Sequence, residues 1–208
     1  MYCYSVDMAA SEKHKRIRHF HEPGNLHELT FSCYRRMPLL TNDPWRYMLA
    51  RSIDAAMIEC QFQLVAFVFM PEHVHLLVNP LQPRPDLGAF LSAIKRPYSS
   101  QIRQLLEAGS APLLKRLTIR ERPGKEVFRY WQEGPGFDRN LYMRKAILAA
   151  IDYLHNNPVK RQLVQQAVDW KWSSARCHLF PAAPRDCDLP MIHGLPADFW
   201  NDQAGRDY

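Results

Sequence analysis

The segment FQLVAFVFMPEHVHLLVNP, residues 62–80, contains two apolar runs that are separated only by a Pro-Glu dipeptide. Runs of this length, rich in Val, Phe and Leu, are typical of buried strands, and the short break predicts a tight antiparallel hairpin. The second run carries His73 and His75. Because side chains two apart in a strand point to the same face, both imidazoles are expected on one face of the sheet, with Val74 on the other.

The remaining elements follow from hydrophobic periodicity along the chain. Strands are predicted at 27–35, 62–70, 73–80 and 127–132, and helices at 45–60, 86–108 and 141–155. Pro97 interrupts the second helix, so a kink or a new helix is expected there. The first six elements in order are strand, helix, strand, strand, helix and strand. This order predicts an α+β fold, a ferredoxin-like antiparallel sheet with helices packed on one face.

The chain divides into three predicted regions. Residues 1–26 form a basic N-terminal arm, 27–180 a single domain, and 181–208 an irregular C-terminal tail rich in Pro and Asp. The 208 residues include 27 Lys and Arg against 21 Asp and Glu, a net charge of +6. This excess favours a polyanionic partner such as nucleic acid.

Cysteine usage and hydropathy indicate the cellular location that is expected for the protein. The five cysteines form no C-x-x-C pair, which argues against a disulfide framework and a zinc ribbon, and a reducing cytoplasm fits best. No apolar stretch approaches the roughly 20 residues that span a bilayer. We therefore expect a cytoplasmic protein without a membrane partner.

The paired histidines suggest a metal site, since two imidazoles on one strand face can converge on one ion at about 2 to 2.2 Å from each nitrogen. A third ligand is required, and Glu72, Gln101 and other histidines are available. In the alternative interpretation, one histidine is a core residue and the other ends the strand. A histidine-triad phosphohydrolase is excluded by spacing, because Leu77 stands where a third alternating histidine is needed.

Four blocks together resemble a known family. AFVFMPEHVHLLVNP is similar to the strand motif of the HUH single-strand DNA nucleases. LSAIKRPYSSQIR, FRYWQEGPGFDRNLY, and YLHNNPVKRQLV followed by DWKWSSARCH are similar, in the same order, to blocks of the REP-associated tyrosine transposases, within the single-tyrosine transposase superfamily. The resemblance spans roughly residues 16–180.

The resemblance implies a metal-dependent single-strand DNA endonuclease and strand transferase that acts on palindromic, REP-like hairpins through a 5′-phosphotyrosine intermediate. It assigns Tyr98 as the nucleophile, and His73 and His75 as ligands of Mg²⁺ or Mn²⁺. Insertion-sequence relatives place a glutamine four residues after the tyrosine as third ligand. Here position 102 is Ile, so Gln101 is the first choice and Glu72 the second. The rival tyrosines are Tyr130, Tyr142 and Tyr153.

The expected partner is single-stranded or hairpin DNA, bound by a monomer or homodimer. Lys95 and Arg96 are expected at the scissile phosphate, and Trp131 is expected to stack on bases. Backbone contacts are expected from Arg16, Arg18, Lys160 and Arg161. Tryptophans at W-x-W spacing, as at 170 and 172, more often pin a tail to the core. The alternative function is a non-catalytic DNA-hairpin binding or regulatory protein of the same fold.

Overall fold

The computed structural model describes residues 25–134, 136–196 and 199. Arg16 and Arg18, like residues 1–24 of the predicted arm, lie outside the described residues. The strands are β1 (Leu26–Ser32), β2 (Phe62–Phe69), β3 (His73–Pro80), β4 (Thr118–Arg122), β5 (Lys125–Phe128) and β6 (Phe137–Leu141). The helices are α1 (Asp43–Cys60), α2 (Leu87–Ala108), α3 (Pro112–Leu117), α4 (Arg144–His155), α5 (Asn157–Lys160) and α6 (Ala175–Leu179), with 3₁₀ turns at Tyr34–Arg36 and Ala167–Asp169.

A four-stranded antiparallel sheet in the order β2-β3-β1-β6 forms the centre of the molecule. β2 and β3 form the predicted hairpin, with Phe69 opposite Val74. With α1 between β1 and β2, and α2 after β3, the elements of the main sheet follow the predicted ferredoxin-like order. The predicted α+β class is confirmed.

The sheet separates two apolar layers. α1 and α2 pack together on one face, against side chains such as Phe67, Phe69 and Leu76. α4 packs on the opposite face, where its apolar stripe contacts Val68 and Leu77. The two long helices thus share one face as predicted, and α4 adds a layer on the other. Strand alternation therefore directs the histidines of β3 towards α4 and away from α2.

The prediction that residues 127–132 form the last strand of the main sheet is wrong. β5 pairs with β4 in a separate two-stranded ribbon, and the fourth strand of the sheet is β6. Residues 129–132 instead run along the end of the sheet, where Trp131 makes an isolated bridge with Cys33. Hydrophobic periodicity does not reveal β6, because β6 is an edge strand, FDRNL, whose side chains are mostly polar.

The second long helix runs without interruption through Pro97. It begins at the N-cap Asp86, whose side chain accepts a hydrogen bond from the backbone N–H of Ala89 at 2.8 Å. Pro97 lies on the exposed side, and no new helix starts there. Among the described residues, no helix has the length and hydropathy needed to cross a membrane.

The segment around Trp172 and Ser174 is fixed to the free edge of β2. The Phe69 N–H donates to the Trp172 carbonyl at 2.8 Å, and the Ser174 N–H donates to the Phe67 carbonyl at 3.0 Å. The indole of Trp170 also donates to the Phe69 carbonyl at 3.0 Å. The two tryptophans of the W-x-W segment therefore pin this part of the chain to the core.

Candidate active site

His73 and His75 lie on the α4 face of β3, with one nitrogen of each ring directed at the other. The two Nε2 atoms are 2.9 Å apart, and the ring planes cross at 79°. The side chains are nearly buried, at 5% and 7% exposure. The pair therefore presents two ring nitrogens to one point on the sheet.

The outer nitrogens of both rings face oxygen atoms. His75 Nδ1 lies 2.8 Å from the Thr30 hydroxyl oxygen, and His73 Nδ1 lies 3.2 Å from Glu72 Oε1. Because acceptors stand at these positions, we assign each ring proton to Nδ1, which leaves a lone pair on each Nε2. Burial lowers the pKa of His75 to about 3 and also lowers that of His73. Both rings are neutral near pH 7, the form that binds metal.

A third donor arrives from α5. The side-chain amide of Asn157 lies 3.2 Å from His75 Nε2 and is almost fully buried. An amide oxygen and nitrogen are exchanged by a flip about the last torsion, so the oxygen of Asn157 can face the same point. Asn157 is placed there because α5 follows α4 directly, with Asn156 as the joint.

These three side chains fit a divalent cation. With bonds of about 2.1 Å and a right angle between neighbouring ligands, octahedral geometry places two donor atoms about 3 Å apart. The observed separation of 2.9 Å between the two Nε2 atoms agrees. Two imidazoles and one amide leave further positions for water or phosphate oxygens, the ligands expected for Mg²⁺ or Mn²⁺.

Glu72 lies beside the outer ring nitrogen of His73 and forms ion pairs with two arginines. Its Oε1 is 2.9 Å from Arg161 Nη2 and 3.4 Å from Arg36 Nη2. Burial disfavours the carboxylate, but electrostatic interactions with the His73 ring and with Arg161, together with the Arg161 hydrogen bond, outweigh it and hold the pKa of Glu72 below its usual range. Glu72 thus orients His73 from the outer nitrogen, and the second-choice assignment of Glu72 as a metal ligand beside Nε2 does not fit.

Tyr153 is the tyrosine that stands at this site. It lies on α4 with 46% of its surface exposed, and its ring is 6.1 Å from that of His75 at a near-perpendicular angle. Lys160 Nζ lies 4.4 Å from the centre of the tyrosine ring. Tyr153 precedes Asn157 by four residues, so a phenol and an amide from adjoining helical turns share the α4 side of the site.

Tyr98 does not lie at this site. It is fully buried in the layer between the sheet and the α1–α2 pair, on the opposite face from the histidines. Its hydroxyl donates to the Tyr130 hydroxyl at 3.0 Å. Burial raises the pKa of the Tyr98 phenol well above its usual value, which disfavours the attacking phenolate. The expectation that Tyr98 packs within reach of His73 and His75 is corrected accordingly.

The other residues of α2 that were predicted at the site also lie across the sheet from the histidines. Gln101 is exposed on α2, with the sheet between that helix and the histidines, so it does not complete the ligand set. Lys95 lies over the ring of Phe31 at 4.9 Å, and burial lowers its pKa to about 8. Arg96 is exposed on the same helix. Neither cation of α2 stands beside the candidate metal donors.

Trp131 is also placed differently from its prediction. It is 7% exposed and packs against Phe31 and Tyr98, with ring centres 4.9 and 5.4 Å away. A base cannot stack on a ring enclosed in this way. By contrast, the predicted Lys160 and Arg161 do lie at the site, against Tyr153 and Glu72 respectively.

Tyr153 and Asn157, which the structure places beside the histidines, were not predicted as site residues, although a signal was present. The block YLHNNPV contains a tyrosine followed four residues later by an amide, the spacing stated for the insertion-sequence relatives. On α2 the amide follows the tyrosine by only three residues, at position 101. Applying the spacing to all rival tyrosines would have singled out Tyr153.

Comparisons with known proteins identify what the sequence and the fold are similar to. Residues 24–115 match the family model described as transposase IS200 like. The fold is similar to a REP-associated tyrosine transposase whose structure was solved bound to a REP hairpin. The TM-score is 0.60 at 21% identity, over 88% of this chain and 98% of that one. A candidate transposase from Deinococcus radiodurans R1 gives 0.38 at 21% identity, over 68% and 98% of the two chains.

No curated protein shows significant sequence similarity to the chain. The family match covers β1 to the start of α3 and includes His73 and His75, and the shared fold extends over most of the remaining residues. The predicted resemblance to the REP-associated tyrosine transposases is confirmed at the level of the fold, and residues 24–115 match the IS200-like transposase model.

Proposed function

We propose that this protein is a metal-dependent single-strand DNA endonuclease and strand transferase with Tyr153 as its nucleophile. In this proposal His73, His75 and Asn157 hold Mg²⁺ or Mn²⁺. The observation that carries the proposal is the convergence of both Nε2 atoms and the Asn157 amide beside an exposed phenol.

The chemistry is a phosphoryl transfer that conserves bond energy. The Tyr153 oxygen attacks the phosphorus in line with the departing 3′ oxygen; the new P–O bond forms as the P–O3′ bond breaks, and the proton lost by the phenol is balanced by the one gained at the 3′ hydroxyl. When bound, the divalent cation would neutralise charge on the phosphate oxygens. The product is a 5′-phosphotyrosine ester. Attack by another 3′ hydroxyl reverses the step and joins two strands.

Fixed cations near Tyr153 would support substrate binding. Lys160 lies against the tyrosine ring, while Arg36 and Arg161 stand around Glu72. Their side chains are half-exposed or more, 61% for Arg36 and 51% for Arg161, so their free donors can reach phosphate oxygens. This arrangement supports binding of a strand whose scissile phosphate lies over the histidines.

The DNA partner is proposed from the neighbour of similar fold, which was solved with a REP hairpin. We propose a palindromic hairpin with a single-stranded flank as the substrate and residues 27–180 as the catalytic domain. The bonds between Ser174 and β2 support including this segment in the domain. The chain beyond residue 180 also packs on the domain, through the buried Leu189 and the bond from the His193 N–H to the Leu64 carbonyl. A monomer or homodimer, and a cytoplasmic location, stay predictions from the sequence.

The test uses DNA recovered with the protein from cells. Palindromic single strands from that pool, carrying a label on the 3′ side of the cleavage point, are incubated with protein and Mn²⁺ or Mg²⁺ and separated on a denaturing protein gel. We expect a labelled protein band for the wild type and for Tyr98→Phe, and none for Tyr153→Phe. Tyr98→Phe is the matched control because it removes a phenol from the opposite face.

The outcomes separate the alternatives. An adduct that survives in Tyr153→Phe and disappears in Tyr98→Phe contradicts the assignment of the nucleophile. Stable hairpin binding without an adduct in any metal favours the non-catalytic binding protein. Tyr98→Phe is expected to cost about 1 kcal/mol of stability through the lost hydroxyl bond, so the assay is run well below its unfolding temperature.

A further inference from the structure

A cleft of about 470 Å³ opens beside the candidate site, between the edge strand β6 and α4. His75 and Tyr153 form part of its wall, which places the cleft directly against the proposed reaction centre. On α4 the wall also contains Ala146 and Ala149. Ala149 and Ala146 precede Tyr153 by four and seven residues, so these small side chains leave the space open along one helix face.

The opposite wall carries an aromatic ring that faces solvent. Phe137 begins β6, lines the cleft and is 54% exposed. One exposed aromatic is ordinary on a protein surface. Here, however, it lines the same cleft as Tyr153, so a planar ligand in the cleft meets an exposed aromatic face beside the proposed reaction centre. Stacking of this kind is sequence-tolerant, because every nucleobase has a π face.

Next to Phe137 the cleft contains a guanidinium in a fixed position. Arg139 Nη2 lies 2.6 Å from Glu28 Oε2; the Glu28 side chain is only 5% exposed, whereas that of Arg139 is 49% exposed. The buried carboxylate holds one side of the guanidinium, and the remaining N–H donors are available to a ligand. A guanidinium oriented in this way suits adjacent acceptors on the edge of a base.

We propose that this cleft binds one unpaired nucleobase next to the scissile phosphate, a proposal that rests on the proposed function. The base stacks on Phe137, and acceptors on its edge receive hydrogen bonds from Arg139. Guanine fits best, since its O6 and N7 offer two neighbouring acceptors to one guanidinium. The protein would then read at least one nucleotide itself.

The stacking contact is tested by binding alone, in EDTA, so that no cleavage occurs. The probe is a fluorescein-labelled single strand of random sequence, roughly 12 nucleotides long. We expect Phe137→Ala to weaken affinity on the order of tenfold. Tyr142→Ala is the matched control, an equally exposed aromatic, 57%, outside the cleft, and is expected to stay within about twofold of the wild type.

A strand of abasic sugar-phosphate distinguishes base from backbone contacts. On this probe wild type and Phe137→Ala are expected to bind equally, because no base is present to stack. If Phe137→Ala binds the random strand as tightly as Tyr142→Ala does, or if its defect persists on the abasic strand, the inference is overturned.

Arg139 is tested by base preference. Random strands retained by the wild type are sequenced, and we expect guanine to be enriched at one position. The enrichment should disappear in the double variant Glu28→Gln/Arg139→Gln, which keeps a neutral hydrogen-bonding pair and so avoids a buried unpaired carboxylate. Equal base frequencies in the wild type, or enrichment that survives in the double variant, contradict the role of Arg139.

These measurements are independent of strand transfer. A normal adduct with unchanged binding by Phe137→Ala overturns the cleft and leaves the proposed function standing. Base-dependent binding without any adduct supports the cleft as a base-binding site and contradicts the proposed nuclease activity.

Discussion

Thr30 gives a direct prediction about the metal site, since its hydroxyl oxygen lies 2.8 Å from His75 Nδ1. Thr30→Val keeps the shape of the side chain and removes this acceptor. The His75 ring is then free to turn or to move its proton to Nε2, and either change removes the lone pair that faces His73. The effect therefore reaches the metal without touching a ligand.

Thr30→Val is expected to lower the affinity for the metal about 10- to 100-fold, or about 1.4 to 2.7 kcal/mol, as does loss of a hydrogen-bond partner behind a metal-bound histidine. Binding of Mn²⁺ is measured by electron paramagnetic resonance of the free ion during titration. Thr30→Ser keeps a hydroxyl and is expected to stay close to the wild type. If Thr30→Val binds Mn²⁺ within twofold of Thr30→Ser, the assigned orientation of His75 is refuted.

Three further predictions concern stability and acidity. Ser174→Ala should lower the free energy of unfolding by about 1 to 3 kcal/mol, because its Oγ is 2.9 Å from the Phe67 N–H and 2.7 Å from His155 Nε2; Ser100→Ala on the exposed side of α2 is the control in urea denaturation. Burial, and then the charge of His178, lower the pKa of His155 from 6.5 to about 3. As the pH falls, His155 is therefore protonated in the unfolded chain before it is protonated in the folded protein. Stability should be full above pH 6.5 and fall towards pH 3 by up to about 1.4 kcal/mol per pH unit, and the pH dependence should be less steep in His155→Gln; an unchanged slope would refute this. Pro97→Ala should raise the thermal midpoint, since an exposed helix-interior proline costs about 3 kcal/mol relative to alanine, and a lower midpoint would contradict that reasoning.

The parts of the fold that follow from local pattern were predictable from the sequence. The β2–β3 hairpin and the shared face of His73 and His75 depend only on strand alternation and a short break. β6 was missed because an edge strand with Asp, Arg and Asn carries no apolar alternation. Its place in the sheet is fixed by pairing with β1, more than 100 residues earlier.

The candidate site was harder to predict because its members meet across the fold. Asn157 reaches His75 over 82 positions, a contact that no local pattern contains. Tyr98, in turn, lies on an apolar stripe with Ile94 and Ile102, and this i, i+4 spacing is typical of a core side chain. Tyr153 is exposed on α4, away from the buried stripe, which is where an accessible nucleophile has to be.

The most direct measurement of the central claim identifies the residue that carries the DNA. Adduct formed by the wild type with Mn²⁺ is digested with trypsin and nuclease, and the modified peptide is sequenced by tandem mass spectrometry. The account predicts a nucleotide phosphate on Tyr153, within the peptide of residues 146–160. A nucleotide on Tyr98 would contradict it, because that phenol lies in the core on the other side of the sheet from His73 and His75.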